Sequence, residues 1–236
     1  SRTIRADDNG IVPIPGSIRV DTTSKHPGIF AGAGFIRYRL DSTVVDTILF
    51  PAEPERMLWH LQNKQGSATW SIPFMPGTSS TIDRTGRFVW GNAEDYRLIV
   101  SRTGLDTVAI FESVPGAVAT IPDSLRQERY DLYTRNNPDL RSIAKMSDIP
   151  TSYPIWTTFV VDGGNNIWVL LPGSKGPGSV WEVFTSAGVL LGQVPTTFTE
   201  PWRTFWTRDR VYSLEEDDTT GSMAITVYRI DKGAPD

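Results

Sequence analysis

Residues 80–112 have the sequence STIDRTGRFVWGNAEDYRLIVSRTGLDTVAIFE, and this stretch decides the fold. Three of its segments alternate apolar and polar residues in the manner of half-buried strands: residues 87–90, 96–100 and 105–111. The turns Asp83-Arg84-Thr85-Gly86 and Arg102-Thr103-Gly104 supply the glycine that a tight hairpin needs. The stretch therefore predicts four antiparallel strands, joined in order by an Asp/Gly turn, a loop and a Gly turn.

The same order returns in residues 157–194, where the first turn is Gly163-Gly164-Asn165 and the last is Thr185-Ser186-Ala187-Gly188. Weaker copies flank these two. In the N-terminal copy, Asp7-Asp8-Asn9-Gly10 resembles the first turn. The C-terminal copy, residues 203–230, has three strand-like segments and no fourth.

A four-stranded unit repeated along the chain is typical of a β-propeller. We therefore predict an all-β fold, a single propeller domain of about four blades that is partial or open relative to six blades. The predicted blades cover residues 1–51, 70–115, 156–197 and 200–232. A generic sandwich of hairpins is the alternative interpretation.

One segment breaks the strand pattern. Residues 122–148 predict a helical insertion between blades, with Ser124 and Gln127 as a candidate capping box. The segment has too few apolar residues for a core of its own, so we do not expect a separate domain.

The composition argues against several classes of function. The 236 residues carry a net charge of −4 and include no cysteine and eight tryptophans. An acidic chain does not favour nucleic-acid binding, and the lack of cysteine excludes disulfides and thiolate metal sites. The longest apolar run, about residues 167–171, is far shorter than the ~20 residues of a membrane-spanning helix. The sequence begins at Ser1 rather than Met, which suggests a processed chain or part of a longer one.

At several of these positions the chain resembles the bacterial six-bladed propellers of the NHL-like kind. The stretches that carry the resemblance are Trp70-Ser71-Ile72-Pro73-Phe74, Asp83-Arg84-Thr85-Gly86, Tyr96-Arg97, Gln127-Glu128-Arg129, residues 161–169, and Trp181-Glu182-Val183-Phe184. The resemblance implies six blades, so about two more would lie on the N-terminal side, or the ring does not close. It also implies a location in the periplasm or outside the cell, peripheral to a membrane.

The sequence offers little catalytic chemistry. His26 and His60 lie in segments that we interpret as loops, and no motif pairs them with metal ligands or carboxylates. We therefore predict no catalytic residue, no cofactor and no metal site. The acidic run Glu215-Glu216-Asp217-Asp218 could bind calcium through its oxygens or form a solvated hairpin loop.

Aromatic residues at or beside loops are the candidates for an interface, because tryptophan is enriched where proteins bind each other. The candidates are Trp59, Trp70, Trp156, Trp202, Trp206 and Tyr212. The alternative is that they pack between blades.

From these patterns we predict a non-enzymatic interaction module whose partners are other protein subunits. One form would be a membrane-extrinsic accessory subunit of a large complex, such as a photosynthetic reaction centre with its antenna. The alternative is an NHL-like propeller that binds a small ligand, or a calcium-dependent hydrolase, working through the central channel.

Overall fold

A computed structural model of the protein describes residues 7–20, 29–41, 43–49, 57–63, 66–104, 106–112, 118–135, 137–173, 179–198, 203–217 and 219–231. Over these residues the chain forms sixteen strands, two α-helices and one turn of 3-10 helix. The strands belong to four sheets that follow one another along the chain and to one separate hairpin.

Two blades have four described strands each, paired antiparallel in chain order. Blade 2 consists of β6 (Thr78–Ile82), β7 (Phe88–Asn92), β8 (Arg97–Ser101) and β9 (Ala109–Glu112), and blade 3 of β10 (Thr158–Val161), β11 (Ile167–Leu170), β12 (Ser179–Phe184) and β13 (Leu190–Thr196). Their central strands are rich in β-branched and aromatic residues, which suit a sheet buried on both faces.

Blades 1 and 4 show three described strands each. Blade 1 consists of β1 (Ile11–Val20), β2 (Ile29–Arg39) and β3 (Val44–Leu49), and blade 4 of β14 (Thr204–Trp206), β15 (Arg210–Glu216) and β16 (Met223–Arg229). All are antiparallel neighbours in chain order.

Consecutive blades pack face to face. Phe35 and Ile48 of blade 1 form a buried cluster with Phe88 of blade 2. Blades 2 and 3 share a core that includes Val89, Leu98, Val100, Phe159, Ile167 and Val169, and blades 3 and 4 share one that includes Trp168, Trp181, Trp206 and Val211. The first strands of blades 2 and 3 also contact each other. Sheets arranged in this way are propeller blades, so the predicted fold class is confirmed.

Two insertions lie between blades and pack on each other. The first is a hairpin of β4 (Leu58–Asn63) and β5 (Gly66–Ser71), which follows blade 1. The second contains α1 (Asp123–Thr134), α2 (Pro138–Ile143) and the 3-10 turn Met146–Asp148, and it follows blade 2. They share a core of Trp59, Ile72, Leu140, Ala144 and Ile149. The helical segment therefore shares one core with the hairpin, which the sequence analysis missed.

The predicted capping box at the start of α1 is wrong. Pro122 occupies the N-cap position, no side chain caps this end, and Ser124 lies inside the helix. Pro122 is extended, with φ −57° and ψ 138°, and its carbonyl accepts hydrogen bonds from Leu125 and Arg126. In α2, by contrast, the side chain of Asn137 accepts a hydrogen bond from the Leu140 amide at 3.0 Å.

Candidate functional site

Four turns, here named the entry turns, lie at one end of the propeller. They lead into the second strand of blades 2, 3 and 4 and into the first described strand of blade 1. They are residues 7–10, 83–86, 162–165 and 207–209, which precede β1, β7, β11 and β15. In blade 2, the Asp83 amide donates to the Arg87 carbonyl at 2.9 Å, and Asp83 Oδ1 accepts from the amides of Thr85 and Arg87 at 2.8 and 2.9 Å. The buried carboxylate therefore caps the hairpin from within.

The same arrangement recurs in two other blades. Asp7 Oδ1 accepts from the amides of Asn9 and Ile11, both at 2.8 Å. Asp162 Oδ1 accepts from the amides two and four residues later, at 2.6 and 2.9 Å. The spacing is identical in all three turns, which explains physically why the sequence repeats aspartate at these positions.

The second carboxylate oxygen also has a partner in two of these turns. Asp83 Oδ2 accepts from Arg87 Nε at 2.7 Å. Asp162 Oδ2 accepts from Asn166 Nδ2 at 2.9 Å and from Trp168 Nε1 at 3.1 Å. These carboxylates are 4% and 0% exposed, so their hydrogen bonds replace the water that they lose on folding.

Hydrogen bonds also join the entry turns of neighbouring blades. The Asp8 amide donates to the Arg84 carbonyl at 2.9 Å, and the Arg84 amide donates to Asn165 Oδ1 at 2.9 Å. The Gly163 amide donates to the Thr207 carbonyl at 3.1 Å. Together these bonds link all four blades at one end of the fold.

A shallow cleft opens among the first three entry turns. It is lined by Asp7, Pro13, Ile82, Asp83, Arg84, Val161 and Asp162. Arg84 contributes a guanidinium whose Nε is buried without a hydrogen-bond partner. A buried, unpaired N–H costs about 1–3 kcal/mol. Among the described residues, Arg84 and Arg126 each leave a guanidinium Nε unsatisfied in this way, and Arg84 is the one that lines the cleft.

Other described residues also have buried polar atoms without hydrogen-bond partners. Among the described residues the whole set is Thr78 Oγ1, Arg84 Nε, Trp90 Nε1 and Arg126 Nε. The first three belong to one hairpin, β6–β7 of blade 2, with its entry turn. Thr78 and Trp90 lie on the same sheet face, since their strand partners are Asn92 and Ser80. Unsatisfied groups in a native structure require an explanation, and a bound polar molecule is one.

The acidic run 215–218 begins in β15, whose last two residues are Glu215 and Glu216, and its Asp218 lies outside the described residues. Glu215 accepts from Thr226 Oγ1 and from the Tyr228 hydroxyl, both at 2.8 Å. Burial alone would raise the pKa of Glu215, but these hydrogen bonds and one from Ser213 outweigh it, so its pKa is lowered. Asp217 caps its turn by accepting from the amides of Thr219 and Thr220. No metal-holding group of three or more His, Cys, Asp or Glu side chains occurs among the described residues.

The two histidines have separate outcomes. His26 lies outside the described residues. His60 is not in a loop, as predicted, but on β4, where its exposed ring lies 3.2 Å from Thr69 Oγ1 across the hairpin. The period-2 pattern of this short hairpin was hidden by its polar composition.

The predicted interface aromatics lie mostly inside the chain. Trp59, Trp156 and Trp206 are only 3%, 0% and 4% exposed, Trp70 and Tyr212 are half-buried, and Trp202 lies outside the described residues. Trp59 and Trp70 lie within the strands β4 and β5, and Trp206 is the last residue of β14, directly before the entry turn of blade 4. The three buried rings are core residues in this structure, because the chain's own insertions and blades already cover them.

Sequence reasoning did not identify Arg84 as more than a turn residue. The corresponding residues of the other entry turns are Asp8, Gly163 and Arg208, so a long cation at this position does not by itself distinguish Arg84. What the sequence lacks is any sign that the guanidinium is buried.

No helix in the part of the chain that the structure describes is long and apolar enough to cross a membrane. No protein-family model matches the sequence, and no curated protein matches it.

Among solved structures, two of virginiamycin B lyase from Staphylococcus aureus are similar. One is a catalytically inactive variant with quinupristin and the other is the selenomethionine-substituted protein. Each similarity covers 96% of this chain and 69% of the other chain at 12% identity, with TM-scores of 0.32 and 0.31.

These neighbours correct the predicted function. Both are structures of an enzyme, which points away from the predicted non-enzymatic interaction module and from the prediction that the chain is not an enzyme. The accessory subunit of a photosynthetic complex was one form of that predicted module and is not proposed further. At 12% identity and a TM-score near 0.3, the likeness transfers no residue, ligand or reaction to this chain. The chain itself has the architecture of a β-propeller.

Proposed function

We propose that this chain binds a small polar ligand in the cleft at Arg84, in the way of a ligand-binding propeller of the NHL-like kind. The observation that carries the proposal is that Arg84, whose buried Nε has no hydrogen-bond partner, is one of the residues that line the cleft. A ligand with an acceptor oxygen would satisfy this donor and gain a charge-assisted hydrogen bond, the stronger class in proteins.

The charged residues around Arg84 indicate which second group the ligand would carry. Asp7, Asp83 and Asp162 line the cleft with Arg84, and Arg87 forms an ion pair with Asp83. Three carboxylates against two guanidinium groups leave an excess of negative charge. A molecule that combines an acceptor with a cationic or N–H-bearing group therefore complements the cleft better than a simple anion does.

Calcium is a poorer fit to these residues. Each of the three Oδ1 atoms already accepts two backbone N–H groups, and the Oδ2 atoms of Asp83 and Asp162 accept from side chains. A cation would have to displace hydrogen bonds that hold the turns together. The donor set favours an organic ligand.

Thermal unfolding in the presence of three probes tests the proposal: glycine, acetate and methylammonium. Glycine carries both groups, so it should stabilise the chain more than either of the others. At a hundred times its Kd it would raise the free energy of unfolding by about 2.7 kcal/mol. Arg84→Met should abolish the difference, whereas Arg102→Met, at an exposed turn of blade 2, should keep it. Equal stabilisation of wild type and Arg84→Met would reject the site.

A location in the periplasm or outside the cell is part of this proposal. It rests on the resemblance to exported NHL-like propellers, and cell fractionation with an antibody against the chain would test it. Recovery of the protein with cytoplasmic markers alone would reject it.

A further inference from the structure

One of the three entry-turn aspartates keeps a carboxylate oxygen to which no described residue donates. Asp83 Oδ2 accepts from Arg87, and Asp162 Oδ2 accepts from Asn166. The hydrogen bonds of Asp7 to described residues both end on its Oδ1. Asp7 is only 9% exposed, so little water can take the place of the missing donor.

The sequence explains why Asp7 differs from the other two. In blades 2 and 3 the residue four positions after the aspartate is Arg87 or Asn166, and its side chain donates to Oδ2. In blade 1 that position is Ile11, whose side chain has no donor and whose amide is already bonded to Oδ1. The turn of blade 1 is therefore complete as a turn, and one carboxylate oxygen remains for another group.

This oxygen lies on the side of blade 1 that blade 2 covers. A Cβ built on Gly86 would be 2.8 Å from Asp7 Oδ2, so the oxygen lies against the entry turn of blade 2. The adjacent Asp8 amide donates to the carbonyl of Arg84 in the same turn at 2.9 Å. Asp7 and Arg84 also line one cleft. A carboxylate with an uncommitted oxygen and a guanidinium with an unsatisfied Nε thus belong to neighbouring turns at one site.

The hydrogen bonds of a nearby guanidinium go elsewhere. Arg37 Nη1 would be 3.5 Å from the same Cβ on Gly86, and it donates to the Gly86 carbonyl at 3.0 Å. The Nε and Nη2 atoms of Arg37 donate to the two carboxylate oxygens of Asp46. Because Asp46 balances the charge of Arg37, the negative charge of Asp7 is left for a ligand.

We infer that Asp7 binds the cationic group of the ligand whose acceptor oxygen binds Arg84, so that the ligand class is a small zwitterion with a primary ammonium, such as an amino acid. The inference rests on the proposed binding at Arg84. A primary ammonium has three N–H donors and no acceptor, which suits a carboxylate oxygen without a donor. Charge-assisted hydrogen bonds at both ends make the cleft favour this class over a simple anion or a simple cation.

Asp7→Asn separates this role from the role of Asp7 in the turn. The amide oxygen of asparagine can still accept from the amides of Asn9 and Ile11, while the charge is lost. Isothermal titration should show glycine binding weakened roughly 10- to 100-fold, as for the loss of one charged hydrogen bond, and acetate binding equal or tighter. Asp8→Asn makes the same change in charge at an exposed residue of the same turn and should keep the wild-type preference for glycine.

Gly86→Ala covers the oxygen of Asp7 from the side of blade 2. The added Cβ would meet Asp7 Oδ2, so glycine binding should weaken while acetate binding persists. Gly10→Ala is the matched control, because its backbone strain is similar, with φ +74° against +81°. Its Cβ meets only Leu40 Cδ1 at 4.0 Å, so this variant should bind glycine as wild type does.

The outcomes separate the role of Asp7 from the binding at Arg84. If Arg84→Met loses both probes and Asp7→Asn binds both as wild type does, the cleft binds a ligand and the role of Asp7 is rejected. Loss of both probes in Asp7→Asn, or equal glycine affinity in Gly86→Ala and Gly10→Ala, would also reject that role. Binding that does not depend on Arg84 would reject the proposed function and this inference with it.

Discussion

The phenol of Tyr96, in blade 2, donates a hydrogen bond to Glu182 Oε2, in blade 3, and both side chains are buried. Glu182 Oε1 accepts from Gln193 Nε2 at 3.0 Å, so the carboxylate is held from two sides. A buried carboxylate that loses one of its donors is strongly destabilised, whereas removal of both partners costs less.

Tyr96→Phe should therefore lower the free energy of unfolding by about 1–3 kcal/mol. The double variant Tyr96→Phe/Glu182→Leu should recover part of that loss, and urea denaturation of all four members of the cycle would measure the coupling. Additive losses would show that the two groups do not interact.

The hydrogen bond from Tyr96 to Glu182 also predicts how the stability changes at alkaline pH. Burial, followed by the hydrogen bond to Glu182 and its charge, raises the pKa of Tyr96 well above its ordinary value of 10.0. With a raised folded-state pKa, the contribution of Tyr96 to stability is complete below the unfolded value and declines as the pH rises above it. Tyrosinate absorbance should show fewer tyrosines ionising at a given alkaline pH in the folded wild type than in urea, because burial also raises the pKa of Tyr228. Tyr96→Phe should reduce that difference by one tyrosine.

Asp83 tests the role of the entry turns. Asp83→Ala leaves the amides of Thr85 and Arg87 without their acceptor, and we expect a loss of about 1–3 kcal/mol in the free energy of unfolding. Asp83→Asn keeps an acceptor oxygen and loses only the ion pair with Arg87. Its free energy of unfolding should therefore lie between those of wild type and Asp83→Ala. Denaturant midpoints would give this order, and an unchanged midpoint for Asp83→Ala would contradict it.

Asp106 predicts a response to acid. Hydrogen bonds from the Ser101 hydroxyl and from Thr103 hold the pKa of Asp106 well below its ordinary value of 3.8. Its contribution is therefore complete above the unfolded value and is lost as the pH falls below it. Asp106→Asn should be less stable than wild type at neutral pH, and the gap should narrow below about pH 4. A gap that stays constant on acidification would refute this, and Glu128→Gln, exposed on α1, serves as the control.

Gly163 tests the contact between the entry turns of blades 3 and 4. A Cβ at this position would lie 2.4 Å from the Arg208 amide nitrogen and 2.6 Å from the Thr207 carbonyl carbon. Gly163→Ala should therefore cost about 1–3 kcal/mol through overpacking. Gly173→Ala, where a Cβ meets nothing within 4 Å but φ is +75°, reports the backbone cost without the collision. An unchanged midpoint for Gly163→Ala would contradict the close approach.

The sequence could predict the blades because local rules set them. Period-2 alternation and glycine turns lie within single units, so residues 80–112 suffice to predict β6 to β9. The hairpin β4–β5 could not be found in this way, because its faces carry Ser67, Thr69 and His60 and it is stabilised by helices far along the chain. The sequence thus predicts strands that neighbouring residues determine and misses a hairpin that distant helices stabilise.

The candidate site shows the same limit. Repeated aspartates at the entry turns were visible as turn residues, since turn formation needs only neighbouring atoms. The cleft depends on three blades meeting, and the backbone of Arg84 is hydrogen-bonded to Asp8 and Asn165, which lie 76 and 81 residues away in the sequence. No pattern along the chain carries that information.

The hydrogen bond from Trp59 Nε1 to Asp148 Oδ2, 2.9 Å long, ties together the two insertions that flank blade 2. Every residue of blade 2 lies on the stretch of chain between these two anchors. A single proteolytic cut at Thr103 or Gly104 would therefore divide the polypeptide without releasing either half, since the shared core of the insertions and the ladder from β8 to β9 still join them. Such a nicked protein would migrate as one species in a native gel and as two in a denaturing gel.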